Sequence, residues 1–451
     1  MHARHERDLV DVRTGMIAVF AHGKKEKGEL YMTKKQKTTA AWVVVIIAFL
    51  GGFALANVQN KTAPVLDVLM LSFGIGETDA GWLTSVFTIM GLITAIPASM
   101  LMRKLGVKRV GVISLLCAAV GSVIGALAPN FTMLLLSRVL EGVGVGMIAV
   151  VGPAVISMWF PAEKRGAPMG LWGSWMMCSQ TLLFLIAGGL VQGFGWQGVW
   201  WFTCIFCVIV LVLYQWKVEE PPEGTPNYAE GEEEEEFHFG EGFKSSATWM
   251  LTLGGVIFTF CCFGFATYIS LYWAEAFFGG DMNQSNLWVS AMYAIEIPVV
   301  ILIGVLLNHI SLRRRKFVAV IGFAIYAFIL FFCFRMTDPG LLLPFILIYP
   351  FLEGSIPTVY WTLIPSTAKK PEHAGTAIGI LNVGLNIGTL LGPPITGFFI
   401  ENYGWAAATV PLAIAAVFGA IVFALVKTYY HGHSEGVVPK GDPETQKAIA
   451  E

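Results

Sequence analysis

The chain has 451 residues, of which 55% are hydrophobic and 13% are charged. This composition excludes a water-soluble globular domain and indicates a chain that crosses a lipid bilayer repeatedly. The formal net charge of −2 says little about partners, because the charged residues are concentrated in short segments between apolar runs.

The N-terminal region, 1–40, is polar and rich in basic residues, so we predict a cytoplasmic tail. It lacks the long apolar core and the cleavage site of a secretory signal peptide. Met32 opens a short basic segment directly before the first apolar run. We predict that translation in the cell starts at Met32, which the intact mass of the native protein would test.

Twelve apolar runs follow, each long enough to cross the hydrocarbon core as a helix. Their approximate bounds are 41–70, 80–102, 110–128, 131–158, 166–192, 198–216, 248–277, 286–310, 316–335, 341–364, 374–400 and 405–427. A helix pairs its own backbone polar groups, which lipid cannot do. We therefore predict an all-α, polytopic membrane protein with twelve transmembrane helices.

The basic residues fall almost entirely in one of the two alternating sets of connections. That set contains Arg103, Lys104, Lys108, Arg109, Lys164, Arg165, Arg313, Arg314, Arg315, Lys316, Lys369 and Lys370, whereas the other contains Arg335. Because cytoplasmic loops are enriched in Lys and Arg, we predict that the first set and both termini are cytoplasmic. We expect a multi-pass protein of the plasma membrane.

An acidic linker, 217–247, divides the apolar runs into two groups of six. It contains five consecutive glutamates at 232–236 and several prolines, a composition that cannot bury a core. We therefore predict an N-terminal bundle at 41–216, a C-terminal bundle at 248–427 and a cytoplasmic tail at 428–451.

Short matches relate the two groups of runs. Leu140-Glu141-Gly142 in the fourth run recurs as Leu352-Glu353-Gly354 in the tenth, and Gly195-Trp196 recurs as Gly404-Trp405. Matches in corresponding runs, at a nearly constant offset, indicate a duplication. They predict two pseudo-symmetric six-helix bundles with a substrate site between them, near the membrane midplane.

A basic segment follows the second run: Ser99-Met-Leu-Met-Arg103-Lys104-Leu-Gly106-Val-Lys108-Arg109. It resembles a signature of the major facilitator superfamily, although Ser99 replaces the first glycine and Arg103 the aspartate. Asn308 takes the place of this aspartate in the weaker copy after the eighth run. The resemblance implies a role in cytoplasmic gating for Arg103, Lys104, Gly106, Lys108, Arg109 and Asn308.

Two further segments carry the resemblance. Arg138-Val-Leu-Glu141-Gly142-Val-Gly144 matches a signature of the family's fourth span. The end of the first run, which contains Asn60-Lys61, is similar to the organic-anion symporters of the superfamily, which usually carry Asp-Arg there. The resemblance implies a transporter of small organic anions that works by alternating access.

By their positions along the apolar runs, five ionisable residues are predicted to lie at membrane depth, where charge is costly unless it faces protein or water: Lys61, Arg138, Glu141, Glu296 and Glu353. Lys61 and Arg138 are candidates for binding an anionic substrate. Alternatively, Lys61 pairs with Glu141 or extends to the membrane interface, and Arg138 holds Glu141. The three glutamates are candidates for proton coupling, since a buried carboxyl without a cation favours its protonated form. Structural hydrogen bonds or ion pairs are the alternative.

Aromatic and amide side chains complete the predicted substrate site: Trp172, Tyr268, Tyr293, Asn382 and Asn386. Helix packing or an interfacial aromatic belt is the alternative for the aromatic residues. The two amides lie one turn apart on the same helix face, where they could also join helices.

The sequence contains no phosphate-binding Gly-Lys-Ser loop, and its His and Cys residues form no catalytic or metal-binding pattern. We therefore predict no enzymatic activity, cofactor, metal or nucleic-acid partner. The predicted function is that of a monomeric secondary transporter, which moves a small organic anion together with protons. Proton-driven efflux of hydrophobic or cationic compounds is an alternative, and a non-transporting membrane sensor is another.

Overall fold

The computed structural model describes residues 34–161, 164–219, 245–368 and 373–427. Several predictions concern residues outside these ranges: the start at Met32, most of the acidic linker, the C-terminal tail, Lys369 and Lys370. Regular structure within the described ranges is helical throughout. The predicted fold class, an all-α polytopic membrane protein, is confirmed.

The described residues of the N-terminal half form eight α-helices, because three of the six predicted spans are each divided in two while parts of the second and third spans form one continuous helix. The helices are α1 (Lys34–Asn60), α2 (Leu66–Phe73), α3 (Glu77–Ser85), α4 (Phe87–Ala126), α5 (Phe131–Trp159), α6 (Gly166–Gly173), α7 (Trp175–Phe194) and α8 (Gln197–Lys217). Helix α4 contains the end of the second predicted span and the whole of the third. The chain changes direction inside α4 at Gly106, whose φ of +79° is accessible to glycine without strain.

The C-terminal half contains six helices, one for each predicted span. They are α9 (Ser246–Phe277), α10 (Met282–Asn308), α11 (Leu312–Phe332), α12 (Leu342–Leu363), α13 (Ala374–Tyr403) and α14 (Trp405–Leu425). Side-chain caps fix several helix starts in both halves. Asn130 Oδ1 accepts a hydrogen bond from Met133 N at 2.9 Å, and Asp281 Oδ1 accepts one from Asn283 N at 2.9 Å.

Among the described residues, eleven helical segments are long and apolar enough to cross a membrane. They correspond to every predicted span except the second. That span is divided near Val86. The helix before the break, Glu77–Ser85, begins before the predicted bound and carries two acidic residues and little apolar surface. The stretch between the break and the segment Lys104–Ala126 is too short to count as a complete crossing.

Apolar packing follows the two halves. Two clusters of buried side chains contain N-terminal residues only, one around Val151 and Tyr214 and one around Leu134 and Trp200. The third and largest cluster is mainly C-terminal, with Phe265 at its centre. The predicted domain boundaries at 216 and 248 stay a prediction.

The halves touch along two pairs of helices, which we call the first seam (α3 against α13) and the second seam (α7 against α10). Both seams lie towards the end of the molecule that contains the α2–α3 and α13–α14 connections, which we call the closed end. Every hydrogen bond that joins described residues of the two halves lies there. The opposite end, which contains Gly106 and the α10–α11 connection, is called the open end.

Candidate functional site

Lys61 is completely enclosed within the N-terminal half. It lies where α1 ends, and its Nζ donates hydrogen bonds to Glu141 Oε1 at 2.5 Å and to Ser122 Oγ at 3.0 Å. Thr203 Oγ1 lies 3.4 Å from the same nitrogen, and the Trp200 ring centroid lies 4.6 Å away. Because the side chain is 0% exposed, these groups replace water around the ammonium.

Arg138 is equally enclosed and uses its donors on groups of the same half. Its Nη1 donates to Glu141 Oε2 at 2.6 Å and to Val58 O at 2.5 Å. Its Nη2 donates to Gln59 O at 2.7 Å, and its Nε donates to Leu83 O at 3.2 Å. The guanidinium therefore joins α5 to the carbonyl groups of α1 and α3, while both oxygens of Glu141 are occupied by cations.

These contacts define a buried charge triad, Lys61–Arg138–Glu141, inside one bundle. The interpretation that Lys61 pairs with Glu141 agrees with this geometry. Neither cation reaches the space between the halves. Their role as substrate ligands stays a prediction, as does proton coupling by Glu141.

The C-terminal half contains a different arrangement of buried carboxyl groups. Glu353 on α12 is 7% exposed, and its Oε1 accepts a hydrogen bond from Cys262 Sγ at 3.0 Å. Its Oε2 has no hydrogen-bond partner among the described residues. Glu296 on α10, 3% exposed, lies close enough to interact electrostatically with Glu353. No cation forms an ion pair with either carboxyl within the described part of the chain, so one proton or more could be held there.

Tyr268 contributes to the first seam. Its hydroxyl donates a hydrogen bond to Glu77 O at 2.5 Å and lies 3.1 Å from Pro393 O. Next to it, Thr78 donates through its backbone N, at 3.1 Å, and through its hydroxyl, at 2.5 Å, to Glu401 Oε2. Tyr268 thus joins the two halves in this conformation, and its role in substrate binding stays a prediction. Sequence reasoning did not identify the Thr78–Glu401 contact.

Tyr293 lies in the second seam. Its ring faces Phe184 at a centroid distance of 6.0 Å, and its hydroxyl has no hydrogen-bond partner in the described part of the chain. One turn away, Ser290 Oγ donates to Thr181 O at 2.8 Å. The substrate role of Tyr293 stays a prediction, but its ring helps to join the two halves in this conformation.

Asn386 and Asn382 lie where the first seam ends. A Cβ added at Gly91 on α4 would lie 3.4 Å from Asn386 Oδ1, so this amide faces the other half. Asn382, one turn closer to the open end on the same face, is exposed. Among the described side chains, α4 and α13 therefore separate between these two residues, and we call the space beyond this point the gap.

Trp172 fills a space inside the N-terminal half. Cβ atoms added at Gly52 and Gly152 would lie 2.7 Å and 2.1 Å from its ring, so only glycine fits at either position. Trp175 stacks on it with a centroid distance of 5.1 Å and is partly exposed. Packing accounts for the position of Trp172, and its contact with substrate stays a prediction.

The predicted gating residues lie at the open end. Lys104, Arg109 and Asn308 are exposed, and Lys108 is partly exposed. The side chain of Arg103 lies outside the described set. None of the four described side chains forms an ion pair with a described residue of the other half. Their gating role therefore stays a prediction for a conformation in which this end is closed.

Metal binding has no candidate site within the described ranges. They contain no group of three or more His, Cys, Asp or Glu side chains that could hold a metal ion. The cysteines that the structure describes are free thiols, and Cys204 and Cys207 are both buried. Both cysteines are explained as small side chains that pack inside the helix bundle.

The sequence profile of the Major Facilitator Superfamily matches residues 41–380 and 369–450. Among curated relatives, the MFS-type transporter YcnB of Bacillus subtilis is 28% identical over 179 residues, which are 40% of this chain and 38% of YcnB. The lincomycin resistance protein LmrB of Bacillus subtilis is 26% identical over 38% of this chain and 35% of its own. The riboflavin transporter RibZ of Clostridioides difficile is 23% identical over 35% of each chain. The matched part thus covers well under half of each of these relatives.

Solved structures resemble the whole fold. A bacterial homologue of the human lysosomal transporter Spinster, in an inward-facing and occupied conformation, superposes with a TM-score of 0.69 at 15% sequence identity. The match covers 88% of this chain and 97% of that one. At this identity the likeness establishes the fold alone. Together with the profile match across most of its length, it shows that the chain belongs to the Major Facilitator Superfamily, whose members are membrane transporters of small molecules.

Proposed function

We propose that the protein is a proton-coupled secondary transporter in which Glu353, together with Glu296, carries the proton. The observation that supports this most is the environment of Glu353: a buried carboxyl that accepts from the Cys262 thiol, lies beside Tyr349 and forms no ion pair with a described cation. Glu141, at the corresponding position of the other half, instead neutralises two cations.

Charge repulsion strengthens the case for the C-terminal pair. Two carboxylates that interact in a poorly hydrated interior repel each other when both are ionised, and a proton bound to one of them relieves this repulsion. Release of that proton requires contact with water or with a new hydrogen-bond partner. Movement of the two halves relative to each other supplies this contact. Proton uptake and movement of the halves are thereby coupled.

The gap between the halves supports alternating access. It is closed by two seams at one end and is open at the other, and the open end carries the basic residues Lys104, Lys108 and Arg109. By the preference of basic loops for the cytoplasm, this conformation is inward-facing, and both chain termini are cytoplasmic. The cell membrane remains the proposed location.

The geometry gives less support to import of an organic anion. Lys61 and Arg138, the expected ligands of its carboxylate, already donate to Glu141, to hydroxyl groups and to backbone carbonyls. An anion could reach them only after the triad has rearranged. Proton-driven export of other small organic compounds is the second candidate. The relative LmrB, a lincomycin resistance protein, favours export, and the relative RibZ, a riboflavin transporter, favours an organic compound as the substrate.

Transport by proteoliposomes tests the proposal. Riboflavin or lincomycin would be added while the internal pH is followed with an enclosed dye. The wild-type protein should move protons with the compound, whereas Glu353→Gln should exchange labelled compound without moving protons. Glu219→Gln, a change of the same type at an exposed position, is the control. Solute-driven proton movement by Glu353→Gln at the wild-type rate would contradict the proposal.

A further inference from the structure

We propose that the gap between the halves binds an uncharged, amphipathic solute that donates hydrogen bonds to Asn382 and Asn386. This inference rests on the proposed transport function and specifies its substrate class. It depends on three observations: where the seams end, which side chains continue beyond them, and which hydrogen-bonding atoms of those side chains are still available.

The first seam has a regular antiparallel register. Gly81 packs against Pro393, since an added Cβ would lie 2.6 Å from its backbone, and Gly91 faces Asn386. Asn386 and Asn382 lie four residues apart and therefore point to the same side of α13. Because Asn382 is exposed, α4 and α13 have separated by this turn. Asn382 thus lies on the wall of the gap.

The second seam ends at a similar point. Ser290 on α10 contacts Thr181 on α7, and Ala294, one turn further on the same face of α10, is exposed. The same step along α7 leads from Thr181 to Met177, which is partly exposed. The second wall of the gap is therefore formed by small or apolar side chains.

The gap wall carries no formal charge at these turns. The five ionisable groups predicted at membrane depth are each at most 9% exposed: Lys61, Arg138, Glu141, Glu296 and Glu353. The two cations face away from the gap, into the N-terminal bundle. An anionic solute would lose its hydration without meeting a cation, which disfavours its binding.

The two amides offer acceptors to a solute. Asn382 Nδ2 donates to Ile378 O at 3.2 Å, and Asn386 Nδ2 donates to Asn382 O at 2.9 Å. Each bond uses one of the two N–H groups of its amide and leaves Oδ1 as an acceptor. A solute with N–H or O–H groups can donate to these oxygens, whereas a carboxylate or phosphate cannot.

Two matched pairs of compounds test this preference by equilibrium binding to the purified full-length protein. Riboflavin and flavin mononucleotide share one ring system and differ by a phosphate group, while nicotinamide and nicotinate differ by an amide and a carboxylate. The uncharged member of a pair should bind at least about 10-fold more tightly, because its competitor must be desolvated without a counter-charge.

Substitutions locate the binding site. Asn382→Ala and Asn386→Ala should each weaken binding of the uncharged compound about 5-fold, as expected for the loss of one neutral hydrogen bond. Asn402→Ala is the matched control, since Asn402 makes the same type of bond, to Phe398 O at 2.9 Å, on the same helix but at the closed end. Binding should be unchanged in this control.

Three results would overturn the inference: tighter binding of the charged members, equal effects of the Asn382 and Asn402 substitutions, or binding of neither riboflavin nor nicotinamide. The assay needs no proton gradient. If the binding preference is not observed, the role of Glu353 in proton coupling is still decided by the transport assay. If Glu353 proves not to carry the proton, the binding result still stands.

Discussion

Removal of the negative charge from the buried triad should destabilise the protein far more than removal of one positive charge. Glu141 contacts both cations, through Oε1 to Lys61 and through Oε2 to Arg138. The substitution Glu141→Gln leaves two enclosed cations without a counter-charge. The substitution Lys61→Met leaves a neutral pair, in which Glu141 still accepts from Arg138 and, at 2.9 Å, from Ser122 Oγ.

The expected magnitudes follow from this count of charges. Breaking a buried ion pair by removing one partner costs about 3–5 kcal/mol, because the remaining charge is left unpaired. We expect a loss of this size in the free energy of unfolding for Glu141→Gln. Lys61→Met leaves no charge unpaired, because Glu141 keeps its ion pair with Arg138. For Lys61→Met we therefore expect a loss below about 1 kcal/mol.

Reversible unfolding by sodium dodecyl sulfate in mixed micelles would measure both free energies on the same scale. Two substitutions of equal cost would refute the reasoning, since the triad would then not depend on its carboxylate for neutrality. Transport by Lys61→Met gives independent information. If Lys61→Met is fully active, Lys61 is not an essential substrate ligand. If it is stable but inactive, the prediction that Lys61 binds the substrate is supported.

Three further outcomes are expected. Glu401→Ala removes the acceptor of the Thr78 hydrogen bonds at the first seam. The fraction of molecules in which this seam has separated should increase several-fold, as measured by spin-label distances between the ends of α3 and α13. Gly81→Leu should prevent closure there, because even its Cβ would lie 2.6 Å from Pro393, whereas Gly166→Leu, with open space around it, should not. Glu353→Gln should change the free energy of unfolding by less than about 1 kcal/mol in the same micelle assay, since an uncharged group replaces a carboxyl that lacks a cation.

The sequence predicted the number and order of the helices well because lipid imposes a simple rule on every residue of a span. The second span shows where that rule weakens. Its start, Glu77–Ser85, is polar because it lies against α13 in the first seam and contributes contacts between the halves. A segment that contacts protein and not lipid can contain polar residues, which lower its hydropathy below that of a typical membrane span.

The sequence also identified the five ionisable residues at membrane depth, but it could not distinguish their roles. Lys61 and Glu141 are 80 residues apart in the chain, and their contact depends on how α1 packs against α5. The contact of Thr78 with Glu401 spans 323 residues and was missed, because Glu401 falls at the end of a predicted run and resembles an interfacial residue. A single sequence contains no signal for such a pairing.

The repeated glutamates explain how one duplicated scaffold could separate stability from coupling. Glu141 balances two cations of the N-terminal bundle, and its part in proton coupling stays a prediction. Glu353 accepts from Cys262, lies beside Tyr349 and forms no ion pair with a cation among the described residues. Under the proposed mechanism the proton binds in the C-terminal half, while the charges of the N-terminal triad stay paired.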